Sequence, residues 1–156
     1  MTRLLGVDLG ERRVGLALAD RDGSAARPLA TIRRSSSVDA DQMALRTIVS
    51  RYDIDELVIG LPLEASGAEG PQSTLTRVWA TAIGERLGLP IVLRDERLTS
   101  HLAEARLGPM KHGRSGGPPS KTQRDAYRAR VDREAAAIIL QDELDARYAA
   151  TLDDAR

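Results

Sequence analysis

The chain has 156 residues, with 23 Lys and Arg balancing 23 Asp and Glu, no cysteine, no phenylalanine, and Trp79, Tyr52, Tyr127 and Tyr148 as its aromatics. Disulfides, thiolate metal sites and cysteine nucleophiles are thereby excluded. A zero net charge argues against a uniformly cationic nucleic-acid coat protein, and the length suits one aliphatic-core domain over residues 1–150 with a polar, frayed tail at 151–156.

No apolar run approaches the roughly 18 residues of a membrane span, so no membrane partner is expected. The lack of thiols suits a reducing compartment, so a cytoplasmic location is expected.

The first elements in chain order are extended. Apolar runs at Leu4 to Leu9 and Val14 to Ala19 flank Gly10 and the charged turn Glu11-Arg12-Arg13, which is a hairpin signal. A third strand is expected over Pro28 to Arg33. Ser35 to Ser37 and Asp39 then supply N-cap chemistry for a helix with Leu45, Ile48, Val49 and Tyr52 on one face.

Glu56 to Leu61 reads as a central strand ending at Gly60 and Pro62. A second helix carries Leu75, Val78, Trp79, Ala82 and Ile83 on its apolar face and stops at Gly88 and Pro90. Ile91 to Leu93 is a short strand that delivers Asp95 and Glu96. A helix follows from about Thr99 to Leu107. Gly108 to Lys121 is too rich in glycine and proline for regular structure, and a last helix is expected from Val131 to about Ala149 with Ala136, Ile139, Leu140 and Leu144 inward. Three strands in meander, followed by alternating helices and strands, define an α/β domain with a mixed five-stranded sheet flanked by helices. In such sheets ligand groups gather at the C-terminal ends of strands.

Charge is unevenly spread. Residues 106–133 hold eight cations against two anions, a net of +6, whereas residues 134–156 hold six acids against two arginines, a net of −4. One local basic surface is expected.

Three acids stand out. Asp8 is the single carboxylate on an apolar strand, between Gly6 and Gly10. A charge in such a place is costly unless paired or metal-bound, although a lone strand-end Asp can equally cap a turn. Asp95 and Glu96 follow another strand, and side-chain alternation lets only one of them share a face with a given neighbour; the plain alternative is a solvated loop with an Arg97 ion pair. Asp132 opens an apolar helical stretch, where an acid is often only a surface residue.

Taken together, two strand-end acids and one helix acid form an oxygen-only donor set suited to a pair of Mg²⁺ or Mn²⁺ ions about 4 Å apart. The basic stretch, with Lys111, Arg114, Lys121 and Arg124, would hold neighbouring phosphates. His101 and His112 are too few and too separated for a histidine triad. Thr99 reads most simply as a helix N-cap, with substrate contact as the sharper alternative. A single tyrosine in the basic segment supplies little base stacking, so recognition is expected to rest on backbone charge and shape.

With these residues in view, the chain resembles the YqgF (RuvX) family of RNase H-like proteins. The likeness spans roughly Leu4 to Leu144 in four ordered blocks: Asp8 to Gly15; Gly60 to Gly67 with Glu69-Gly70-Pro71; Asp95 to Ser100; and Asp132 to Leu140. It implies an RNase H-like fold and a metal-dependent phosphodiester hydrolase, described either as a nuclease maturing the end of pre-16S rRNA or as a Holliday junction resolvase. It also implies Asp8, Glu96 and Asp132 as the catalytic and metal-binding acids, so it selects Glu96 over Asp95. Arg13 matches the arginine of the first block. Ser100 replaces the family's usual second threonine, and the Gly113 to Pro119 stretch is longer than a minimal member needs.

The partners so implied are structured RNA or junction DNA and ribosomal precursor particles, for a monomer or homodimer. Two rival readings stand beside this one. The actin and sugar-kinase ATPases also open on an Asp-x-Gly hairpin but need two such domains; a non-catalytic nucleic-acid or ribosome-associated module would keep the acids without turnover.

Overall fold

The computed structural model describes residues 2–97, 99–113 and 115–156. Its elements are β1 (Leu4–Leu9), β2 (Arg13–Ala19), β3 (Ala26–Arg33), α1 (Val38–Tyr52), β4 (Glu56–Leu61), α2 (Pro71–Leu87), β5 (Ile91–Asp95), α3 (Thr99–Leu107) and α4 (Lys121–Asp154). The five strands form one mixed sheet in the order β3-β2-β1-β4-β5. β1, β2 and β3 are antiparallel, whereas β4 is parallel to both β1 and β5. The parallel strands β1, β4 and β5 therefore end on the same edge of the sheet.

Strict alternation sorts the sheet's two faces. Leu5 and Val7 of β1, Val14 and Leu16 of β2, and Leu57 and Ile59 of β4 pack with Leu45 of α1 and with Trp79, Ala80 and Ile83 of α2. Leu4, Ala17, Ala19 and Val58 face the other way and pack against Ala136, Ile139, Leu140 and Leu144 of α4. Asp8 lies on this second face, two residues along β1 from Gly6. The acid thus shares its side of the sheet with the last helix.

The α4 side is lined with small residues, and these let the helix backbone come close. A Cβ on Gly6 would lie 2.8 Å from the Ala136 carbonyl oxygen, and one on Gly15 only 2.0 Å from that of Asp132. Gly15 is also the direct cross-strand neighbour of Asp8. The helix therefore settles with Asp132 level with Asp8 because the strand beneath it has no side chain.

Two expectations are corrected. α4 begins at Lys121, ten residues ahead of the expected Val131, because Ser120 and Gln123 form a reciprocal capping box that starts a helix where no apolar period announces one. The buried face of α2 is Ser73, Thr76, Trp79, Ala80, Ile83 and Gly84, while Leu75 and Val78 are exposed. The polar members of that face have partners: the Ser73 hydroxyl donates to the Pro62 carbonyl, and the Trp79 indole N–H donates to Asp41, 3.1 Å away. Asp41, itself 2 % exposed, also accepts from the Ser35 amide at 2.8 Å. It is a buried structural carboxylate joining α1 to α2.

α4 continues helical to Asp154, with residues 151–156 exposed. No described helix is long and apolar enough to cross a membrane.

Candidate active site

Asp8 stands near the end of β1, and Glu96 follows β5 directly, with its amide donating to the Leu61 carbonyl at 3.2 Å. Hydrogen bonding thus carries the β4–β5 pairing one residue past the strand and fixes the Glu96 turn. Thr99, 5 % exposed, donates its amide to the Glu96 carbonyl at 3.1 Å. Thr99, read from sequence as the cap of α3, is its first residue and braces the Glu96 turn.

The side chain of Glu96 folds over Gly60, where a Cβ would lie 2.7 Å from its carboxylate oxygen and 2.5 Å from Ile139. The space left by Gly60 is the space the Glu96 carboxyl occupies. Asp95 points elsewhere, pairing with Arg97 at 2.9 Å, and its hydrogen bonds to Arg97 hold its carboxyl below the ordinary range. Of the two neighbouring acids only Glu96 joins the site.

Asp8 and Glu96 meet directly. Burial pushes the Asp8 carboxyl up to about 6, the hydrogen bond from Glu96 opposes that rise, and the Asp132 charge adds to it. Burial and then the Asp8 charge push Glu96 up to about 10. Burial and mutual repulsion thus push both carboxyls of the pair toward the neutral form, Glu96 further than Asp8.

Asp132 completes the group from α4. Burial raises its carboxyl and Arg13 opposes this through a 2.7 Å ion pair from Nε to Oδ2, both side chains being about one-quarter exposed or less. In this arrangement no three acids or histidines among the described residues are drawn together as a finished metal cage. Asp8 and Glu96 face each other while Asp132 is turned onto Arg13.

The expected phosphate-binding residues divide. The first turns of α4 separate two clefts: Lys121 lines one with Arg12, Arg13 and Arg33, and Lys111 lines the other with Tyr127 and Arg130. Arg124 curls back to donate to the Pro119 carbonyl at 2.8 Å. Arg114 lies outside the described residues. Arg12 and Arg33 carry no signal along the chain, because only the β2–β3 ladder brings them together.

Gly15 ties the position of Asp132 to the strand beneath it. Gly15→Ala places a Cβ into the α4 backbone and must lift Asp132, so cleavage per folded molecule should fall about a hundredfold and stability by roughly 1–3 kcal/mol. Gly6→Ala, which overpacks α4 one turn further along, should cost similar stability with much smaller loss of turnover. Thermal melts paired with kcat measurements would check this; full turnover in Gly15→Ala would break the link between glycine and acid.

A five-stranded mixed sheet with acids on the edge where its parallel strands end and a long helix delivering another defines an RNase H-like protein. T. thermophilus RuvC in complex with Holliday junction substrate has this fold at a TM-score of 0.54, with 14% identity, 96% of this chain and 97% of that one being covered. The chain belongs to the RuvX family, whose model, described as Holliday junction resolvase, matches residues 2–146. A relative from Anaeromyxobacter sp. (strain K), carrying the name "Putative pre-16S rRNA nuclease", is 42% identical over 145 residues, covering 93% of this chain and 98% of the relative. One of the same name from Syntrophus aciditrophicus (strain SB) is 41% identical over 144 residues, covering 92% and 89%.

Proposed function

We propose that this chain is a metal-dependent endonuclease that hydrolyses phosphodiester bonds of structured RNA and acts in maturation of the 5′ end of pre-16S rRNA, in the cytoplasm. The observation that carries the reading is the facing pair Asp8 and Glu96, half-buried carboxyls held together against their own repulsion with Asp132 close by. Such a pair is costly alone and favourable around a hard cation. Its donor set is oxygen only, and the group fits Mg²⁺ or Mn²⁺, taken as a pair of ions, with Asp8, Glu96 and Asp132 as the residues that would hold them.

Bound there, divalent ions supply an acidified attacking water and stabilisation of the leaving oxygen in an in-line displacement at phosphorus. The protein's part is to present and orient. Glu96 would present its carboxyl to the ions beside Asp8, and Gly60 leaves room for it. Arg13 uses Nε to aim Asp132, which leaves its two terminal nitrogens for a phosphate oxygen.

The names of the relatives favour ribosomal precursor RNA. A second reading, cleavage of four-way DNA junctions, is favoured by the description of the family model and would call for a two-fold dimer presenting two sites. A 5′-extended 16S precursor fragment and a four-way junction, compared at matched salt and Mg²⁺, separate the two. The precursor should be cut at the higher rate; faster resolution of the junction would overturn the assignment.

A further inference from the structure

The basic cleft beside α4 adjoins the acid site through Arg13, which also bonds Asp132. It measures about 350 Å³ and is lined by Arg12, Arg13, Arg33 and Lys121, with Asp125 as its one acid. Arg13 and Arg33 are direct partners in the β2–β3 ladder. Like charges placed opposite one another across strands are destabilising, and only Arg13 has its carboxylate, Asp132. Arg12, Arg33 and Lys121 form no ion pair among the described residues. Four cations are thus gathered by the fold around one cleft acid that none of them pairs with, an arrangement completed by an anion from outside.

We infer that the cleft formed by Arg12, Arg13, Arg33 and Lys121 is a subsite for the sugar-phosphate backbone, holding the phosphates next to the scissile one as the strand leaves over the β2–β3 edge. The inference rests on the nuclease reading and adds a path for the substrate. Arg13 gives continuity, since one side chain both lines the cleft and bonds Asp132. α4 gives reach: Lys121 lies eleven residues before Asp132 on the same helix, about 16 Å at 1.5 Å per residue, enough for several successive phosphates.

The helix also closes off the alternative. Lys121, Asp125 and Ala129 face the β3 side, whereas Gln123, Ala126, Tyr127 and Arg130 face the α3 side with Lys111. Among the described residues, that second cleft is lined by no residue bonded to one of the acids, and its Tyr127 hydroxyl is engaged with the Gly108 carbonyl at 2.8 Å. The strand's path therefore runs along β3 and away from the Gly/Pro-rich loop.

The test is binding without cleavage, in the Asp8→Asn background, of a stem-loop RNA and in parallel a four-way DNA junction over a salt series. Arg12→Ala with Arg33→Ala should weaken binding about tenfold and flatten the slope of log K against log salt by about 1.4–1.8, roughly 0.7–0.9 for each phosphate no longer neutralised. Arg130→Ala should leave the slope unchanged. Both arginines are exposed and Arg33 faces Arg13 across the ladder, so the double variant should melt at or slightly above its parent, which a thermal scan verifies.

An unchanged slope in the double variant, weakened binding in Arg130→Ala instead, or no salt-dependent binding of either probe would each overturn the subsite. Because the readout involves no cleavage, a wild-type chain that fails to cut while the double variant flattens the slope would remove the nuclease reading and leave the subsite standing.

Discussion

Asp8→Asn should abolish cleavage while leaving the metal-free protein at least as stable as the wild type. Its carboxyl is one of two that face each other in the site, and Asp132 adds further repulsion. Exchange for the isosteric amide keeps the shape of the strand end but removes a charged oxygen donor. Changes to residues merely supporting metal ligands commonly cost 10–100-fold, so loss of a ligand itself should lower turnover by more than about a hundredfold. The melt should move the other way, because one of several mutually repelling carboxylates has gone. Rate and thermal midpoint measured on the same preparation check both halves; a large fall in the midpoint would show that Asp8 serves the fold.

The second large effect is on pH. Unfolded, Asp8 and Glu96 titrate near their ordinary values of 3.8 and 4.5; folded, they are pushed up to about 6 and about 10. Between roughly pH 4 and 10 the folded state thus binds more protons than the unfolded state, and stability falls as pH rises. The contribution present in acid is progressively lost through pH 6 and onward toward 10. Asp22 and Asp95, whose carboxyls are held below the ordinary range, contribute stability that is lost only in more acidic solution.

The metal-free midpoint should therefore decline steadily between pH 5 and 9. Glu96→Gln should flatten the decline, and Mg²⁺ or Mn²⁺ should restore the midpoint at high pH by binding the folded state. Differential scanning calorimetry across pH, with and without the cation, gives the result; a midpoint that rises steadily from pH 5 to 9 would contradict it.

Much of the scaffold was legible from residue order. Leu4–Leu9 and Glu56–Leu61 have no competing helical period, and the observed strands occupy those spans. Asp8 could be singled out because it interrupts such a run. What remained hidden depended on packing between segments distant along the chain. Gly15 looks like any strand glycine until α4 arrives from beyond residue 120 and places the Asp132 carbonyl over it.

The misread faces have similar causes. On α2, Leu75 and Val78 fit an apolar period, yet burial went to Ser73 and Thr76 as well as Trp79, and the Ser73 hydroxyl has its acceptor on the Pro62 loop. The first turns of α4 are mostly polar, with Tyr127 as their one large packed side chain, so the helix is announced mainly by its cap. The cations of the β3-side cleft come from three separate segments, and a charge count confined to residues 106–133 includes only Lys121 among its four.

The most direct measurement compares wild type and Asp8→Asn on one 5′-extended 16S precursor fragment, with Mg²⁺ or Mn²⁺ present, mapping the ends produced. Discrete cuts in the 5′ precursor segment are expected from the wild type, dependent on the cation and absent from Asp8→Asn. Equal cleavage by the two chains, or none by the wild type on this RNA or on a four-way junction, would contradict the assignment of Asp8 to a nuclease site.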